Sequence, residues 1–461
     1  MLQKSKNTRR EVYVMKNGIN KEWTLHVENF AKIVSADIKI APLMCFVGDN
    51  NSGKSYLMSL LWGLLTYSKD YFPSKPPETA NYKVCEAFVK KNIGKDMQLS
   101  NSEIQLFIDW FNQILAKNAR ALTKKIFNYE MEIGKIEIRD YSIKDSLTMK
   151  WNNDGVRYSF RNNTITIPLK ENHTKEDIFI TCVYFCWNIV MEGIAAPLYT
   201  PVVKGRRSGE PVYLPASRMG FMLTYLQLLD ASLTNSFSGT DETGNSSTLT
   251  MPYVDFLRLI LKFENVSKIS KKNEQLIEFI EERMIGGKIA IKKEYAPTFN
   301  YIPFGSKREL PLYISSSVVA EVSPLLLLLK SNIQFNTIII EEPEAHLHPR
   351  LQWEMAKLII KLVNSGIPVW ITTHSDTILQ HVNNMIKLDN NADKAKLMEE
   401  YSYSKDDMIN REMIAMYQFN SDNMGKTNIE PLESNEYGFI VPTFNAALEN
   451  LVNEVYAFQE D

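Results

Sequence analysis

The chain has 461 residues, 44% of them apolar and 23% charged, which is enough to bury two or three domain cores and excludes wholesale disorder. Its 52 basic residues stand against 54 acidic ones, a formal charge of −2, so no whole-chain field draws it to nucleic acid and only a local basic groove would. The four cysteines, Cys45, Cys85, Cys182 and Cys186, lack ligand spacing with histidine and any secretory context, and predict buried thiols in a reducing cytoplasm.

The first 18 residues are basic but have no apolar stretch of the secretory kind. Residues 23–47 then read as strands, WTLHVENF and IKIAPLMCFV, joined by a connector AKIVSAD. The second run ends at Gly48, a glycine-containing loop follows, and SYLMSLLWGLLTYSKD has helical apolar spacing. Pro73, Pro76 and Pro77 mark a loop before a helix over Asn101–Phe127, and 131–170 reads as hairpins turning near Asn152–Gly155 and Asn162–Asn163. The most apolar stretch, 178–202, is interrupted by Glu192 and two prolines, which favours a buried helix over a membrane span.

A strand over 211–218 precedes another helical start, and the Ser/Thr/Asn/Gly-rich 231–250 reads as a surface loop. Residues 254–285 form one or two helices without a sustained heptad, and 286–314 alternate like strands. A helix is expected over 317–330 despite Pro324, then a strand at 337–340, a helix from Pro349 closed by Gly366, and a strand over 367–374. The tail predicts a strand around 413–419, a turn at Asn423–Gly425 and a terminal helix over 445–458; no internal repeat is present. This alternation gives an α/β fold with mixed sheets, divided as 1–250, 251–300 (a helical insertion and return strand) and 301–461.

Three motifs carry chemistry. Gly48, Asp49, Asn50, Asn51, Ser52, Gly53, Lys54 and Ser55 match G-x-x-x-x-G-K-[ST] between a strand and a helix. There the glycines let backbone N–H groups face phosphate, Lys54 reaches the β- and γ-phosphates of ATP, and the Ser55 hydroxyl ligates Mg²⁺. The apolar run TIII delivers Glu341 and Glu342 to a strand end: Glu341 for the metal, Glu342 to polarise the attacking water. His374 ends the next strand, placed to bond the γ-phosphate or orient that water.

Together LHVENFAKIVSADIKIAPLMCFVGDNNSGKS, IIIEEPEAHLHPRLQ and VWITTHSDTIL resemble the ABC-type ATPases of the RecF, SMC and OLD-nuclease group, and in particular the stand-alone ATPases of bacterial anti-phage systems. Strong motifs cover roughly 23–65 and 310–385. The resemblance implies an ATPase head whose two lobes flank a variable insertion. It places Glu341 at the Walker B position, usually an aspartate, Glu342 at the catalytic glutamate, Ala345–His348 at the D-loop and His374 at the switch histidine. Ser315, Ser316 and Ser317 fall at the signature, where Val318 and Val319 replace glycine-sized neighbours and imply slow hydrolysis. Arg218 resembles a recurrent strand-end arginine that bridges phosphate or braces the insertion, with a surface ion pair as its plain alternative.

The same resemblance implies a head-to-tail homodimer with ATP between the subunits. Fewer than 90 residues follow His374, too few for a TOPRIM nuclease domain, so a separate effector is expected. The fit within the group is to the ATPase of PARIS-type abortive-infection systems, a cytoplasmic sensor and scaffold that holds a TOPRIM nuclease and responds to a phage-encoded protein. The alternative is a repair ATPase that binds duplex DNA through basic patches at 117–125, 204–207 and 268–272.

Overall fold

Alternation drives the first strands in the computed structural model: Trp23, Leu25 and Val27 of β1 (Lys21–Phe30) are wholly buried. The structure describes residues 21–144, 146–153, 157–161, 163–192, 210–238, 249–265, 269, 271–293, 296–435, 438–440 and 452–458. In chain order come β2 (Ile33–Lys39), β3 (Leu43–Gly48), α1 (Lys54–Tyr67), α2 (Ala80–Lys91), β4 (Met97–Leu99), α3 (Asn101–Phe127), β5 (Lys135–Ile143), β6 (Leu147–Asn152), β7 (Ser159–Arg161), β8 (Thr164–Pro168) and α4 (Lys175–Cys186). Next are β9 (Glu210–Leu214), α5 (Arg218–Ser238), α6 (Met251–Lys262), α7 (Lys271–Phe279), β10 (Gly287–Lys293), β11 (Pro297–Pro303), β12 (Leu310–Pro311) and α8 (Ser317–Lys330). The last are β13 (Phe335–Glu341), α9 (Pro349–Asn364), β14 (Val369–Thr373), α10 (Asp376–Asn390), α11 (Lys394–Glu400), β15 (Ile414–Ser421) and β16 (Thr427–Pro431). Among the described residues no helix is long and apolar enough to cross a membrane.

The chain divides into two units, one of residues 1–42, 56–212 and 334–337, the other of 43–55, 213–333 and 338–461. In the first, β5, β1 and β2 pair antiparallel. Capping boxes start its main helices, Ser100 with Glu103 on α3 and Thr174 with Asp177 on α4. Aromatic packing joins them: Phe107 stacks on Phe185 at 5.3 Å, and Trp110 lies 5.2 Å from Tyr82. All four cysteines are free and buried, as expected; burial pushes the Cys85 thiol up to about 12 and the other three further still.

The second unit is built on β16, β15, β3, β14 and β13 in that order, with β15, β3, β14 and β13 mutually parallel. The parallel strands read as unbroken apolar runs because both their faces are covered. Helix α8 buries Leu325 to Leu329 completely or nearly so. Register brings Gly48 opposite Phe419, Val47 opposite Thr373 and Glu341 opposite Thr372, so the carboxyl ends of β3, β14 and β13 finish level.

Several expectations change. IVSAD belongs to β2, so the connector shrinks to Ala31–Lys32, with Ala31 at φ 52. The 131–170 segment is not a row of hairpins: β5 pairs with β1, while β6 lies parallel to β8 and only β7–β8 is a hairpin. Alternation reports which face is buried and not which strand is the neighbour. Helix α5 runs on through 231–238, although that stretch reads as loop; 239–248 lies outside the described residues, as do 193–202, 204–207 and 441–451 of the expected helices and basic patch. Of the terminal helix, 452–458 is helical.

Candidate active site

The loop after β3 is shaped by its glycines. Gly48 has φ 140, and a Cβ there would lie 2.5 Å from the carbonyl oxygen of Phe419; Gly53 has φ 96. Asn51 adopts φ 61, a turn conformation open to asparagine. The loop feeds the first turn of α1, whose leading amides lack helical partners and favour an anion. Asp49, Asn50 and Asn51 are exposed, whereas Ser52, Gly53 and Lys54 are buried beneath them, and Ser55 is exposed.

Lys54 folds back into the loop, its Nζ donating to the carbonyls of Gly48 at 3.0 Å and Asp49 at 2.7 Å and to Ser52 Oγ at 3.3 Å. Burial pushes the ammonium down to about 8, against the upward pull of Glu342, Asp49 and Glu344. The P-loop lysine therefore faces the acids that follow β13, two strands away. His374, at the end of the intervening β14, is half-buried; burial and then Lys54 hold its imidazole below the ordinary value, and its ring bonds the Gly48 carbonyl. Its backbone N–H donates to Glu344 Oε1 at 2.6 Å.

Glu341 is 3% exposed, and its Oε2 accepts from the Ala216 N–H at 3.1 Å. Glu342 is half-buried and left-handed at φ 45, a conformation costing on the order of 1–3 kcal/mol for such a residue. Its N–H is tied to the Thr372 carbonyl at 2.8 Å. In the following turn His346 is exposed at φ 58, Leu347 is buried, and exposed His348 caps α9.

These residues fit a magnesium–nucleoside triphosphate. The loop's close backbone approach excludes a side chain at Gly48, α1 presents free amides, and Lys54 supplies a cation held only by loop oxygens. The Ser55 hydroxyl and the carboxylates at the end of β13 are hard oxygen donors of the kind Mg²⁺ takes.

A family model described as an AAA ATPase domain matches residues 23–183 and 230–379. The chain belongs to the AAA ATPase domain family. It is an ATP hydrolase that uses ATP with Mg²⁺. No curated protein matches it. Among solved structures, the SMC head bound to the C-winged helix domain of ScpA is 11% identical at TM-score 0.37, covering 89% of this chain and 97% of that one. The SMC head domain from Thermotoga maritima is 12% identical at 0.32, covering 89% and 99%. The SMC head with an extended coiled coil, bound to the C-terminal domain of ScpA derived from Pyrococcus furiosus, is 11% identical at 0.33, covering 95% and 100%.

In this AAA ATPase the three serines lie at the start of α8. Ser315 turns its hydroxyl back to the Leu312 carbonyl at 2.6 Å, while Ser316 and Ser317 are exposed at the start of α8 with no side-chain cap bond. Val319 is buried and Val318 half-buried. Helix α8 reaches the acids through Glu321 instead, 1% exposed and paired with Arg218 Nη2.

Arg218 is 2% exposed, which removes the surface ion pair as its explanation. Its Nη1 donates to the Glu341 carbonyl and, at 3.2 Å, to that of Pro215, and its Nη2 donates to the Glu342 carbonyl at 3.1 Å. The guanidinium thus braces main chain. Glu321 and Glu344 escape a motif-based reading, yet one signal was present: a single acid inside the apolar run SVVAEVSPLLLLLK requires a buried partner.

Proposed function

We propose that this ATPase is of the ABC type, and that its nucleotide cycle serves as the control element of a cytoplasmic anti-phage system. Glu342 polarises the attacking water, His374 orients that water or bonds the γ-phosphate, and Glu341 with Ser55 holds Mg²⁺. Gly48 to Ser55 grip the phosphates, and Ser315–Ser317 of a second copy close the pocket head to tail. The observation that carries the reading is the mutual electrostatic exposure of Lys54, Glu342 and His374 at the level ends of β3, β13 and β14. Neutral His374, whose one ring N–H goes to the Gly48 carbonyl, keeps its other ring nitrogen as an acceptor for water.

The finer part, a sensor and scaffold that holds a separate TOPRIM nuclease and responds to a phage protein, is supported by the motif resemblance. After His374, β15 and β16 return to the P-loop sheet and belong to the ATPase. Glu342→Gln is expected to bind Mg-ATP with near wild-type affinity and to lose roughly 100- to 1000-fold in phosphate release. Wild-type turnover by that variant overturns the assignment. Co-expression with a TOPRIM protein is expected to yield a complex whose mass depends on nucleotide. Duplex binding that weakens steeply with salt, without such a complex, favours a repair ATPase instead.

A further inference from the structure

The peptide turn that carries Glu342 is held from behind. Its left-handed backbone persists only where neighbours fix it, and three groups do so: the Thr372 carbonyl on its N–H, the Ala345 N–H on its carbonyl at 3.0 Å, and the Arg218 guanidinium on the carbonyls of both acids. Arg218 is held in turn by Glu321, one turn into α8 and beyond the reach of solvent. The bracing takes no side-chain oxygen of Glu342, which leaves that carboxylate for its ligand, while Glu341 gives Oε2 to the Ala216 N–H.

We infer that Arg218 is a positioning residue for hydrolysis, fixing the direction in which Glu342 presents its carboxylate, and that Glu321 ties that direction to the seating of α8. The planar fork of arginine suits this task, because two adjacent carbonyls are met by the Nη1 and Nη2 donors of one rigid plane whose charge Glu321 faces at Nη2. A lysine supplies a point charge with no fixed fork. Burial lowers the guanidinium from its ordinary value while four acids, Glu321 foremost, oppose the shift, and burial pushes Glu321 up to about 7. Such a pair is costly to place unless it holds something in register.

The inference rests on Glu342 as the water-activating group. Its test measures kcat, KM and the affinity for a fluorescent ATP analogue in wild type, Arg218→Lys, Glu321→Gln, Glu342→Gln and Arg218→Lys/Glu342→Gln. Arg218→Lys is expected to lower kcat roughly 10- to 100-fold with analogue affinity within about threefold, as expected when only transition-state geometry is lost. Glu321→Gln, which keeps a polar partner, is expected to lose several-fold in kcat. In the Glu342→Gln background Arg218→Lys is expected to cost nothing more, because the two act through one carboxylate.

A folded Arg218→Lys protein with wild-type kcat overturns the inference while leaving Glu342 in place if Glu342→Gln is inactive. Losses that multiply in the double variant, or an equal loss of analogue affinity, also overturn it. Full turnover by Glu342→Gln removes the underlying assignment instead. If Arg218→Lys does not fold, Glu321→Gln decides: lowered kcat at unchanged affinity supports the inference, and wild-type kcat refutes it.

Discussion

Arg218, Glu321 and the Glu341–Glu342 turn form one buried polar cluster of the P-loop unit; His381, Asp407, Lys361 and Tyr403 form another. In the second, Lys361 Nζ meets Asp407 Oδ1 at 2.9 Å, and Asp407 Oδ2 accepts from the N–H and the hydroxyl of Ser404, both at 2.7 Å. Asn364 of α9 adds bonds to the carbonyls of Asp406 at 3.0 Å and Met408 at 2.8 Å, so the cluster staples α9 to residues 404–408. Its carboxylate is consumed by these partners. In the first cluster the arginine pairs with Glu321, turns its other donors to main-chain carbonyls and leaves Glu342 half-buried and strained. Similar burial therefore produces a staple in one place and a presented acid in the other, and what differs is whether the cation bonds the acid's own carboxylate, as Lys361 does at Asp407, or its backbone carbonyl, as Arg218 does at Glu342.

The widest separation between the two is expected from changing the strained end alone. Gly48→Ala places a Cβ 2.5 Å from the Phe419 carbonyl oxygen at a φ that alanine rarely adopts, a penalty of about 3 kcal/mol concentrated in the phosphate loop. Nucleotide affinity is expected to fall roughly a hundredfold in a binding titration. The 404–408 staple should be untouched, and an affinity within twofold of wild type contradicts the loop geometry.

Acid should act on the opposite cluster. Burial, followed by Lys357, holds the His381 imidazole down at about 4, against a small upward pull from Asp407. A depressed folded value means that the unfolded chain takes up the proton first, at about 6.5, so the stability linked to His381 is present above pH 6.5 and is lost as pH falls toward 4. The loss is on the order of 3 kcal/mol. His381→Gln is expected to flatten the denaturation midpoint between pH 6.5 and 4, and an unchanged acid limb in that variant rules the histidine out.

The contrast also explains what the sequence disclosed. Gly48 to Ser55, Glu341, Glu342 and His374 were legible because each sits where an apolar strand stops, and strand ends are visible as runs such as TIII and VWIT. Helices α3 and α8 were legible from period and length, and Pro324 did not break α8. The brace was not. Arg218 and Glu321 are separated by about a hundred residues, and the arginine's partners are carbonyl groups that every residue carries. Strand order failed for a related reason: β5 looks like one arm of a local hairpin, yet its backbone bonds go to β1, which no pattern within 131–170 encodes.

A titration separates Lys54 from both clusters, because its cation is held only by loop oxygens and has a value of about 8 in the free protein. Below pH 8 the ammonium is already present and nucleotide binding needs no proton uptake, so affinity is flat. Above pH 8 the free protein carries neutral Lys54, the phosphates require it charged, and affinity is expected to fall by about tenfold per pH unit, or about 1.4 kcal/mol, until the ordinary lysine range is reached. Stability of the nucleotide-free protein should move the other way. The cost of burying that ammonium is full below pH 8 and is relieved as pH rises from 8 to 10.5, because folding disfavours the charged form. Calorimetric titration with ATP in two buffers of different ionisation heat checks this directly: proton uptake should rise from zero at pH 7 toward one at pH 9.5 in wild type and vanish in Lys54→Arg, whose guanidinium stays charged. Zero uptake by the wild type across that range would mean that Lys54 is an ordinary exposed cation in the free protein, and the electrostatic link between the P-loop and Glu342 would lose its support.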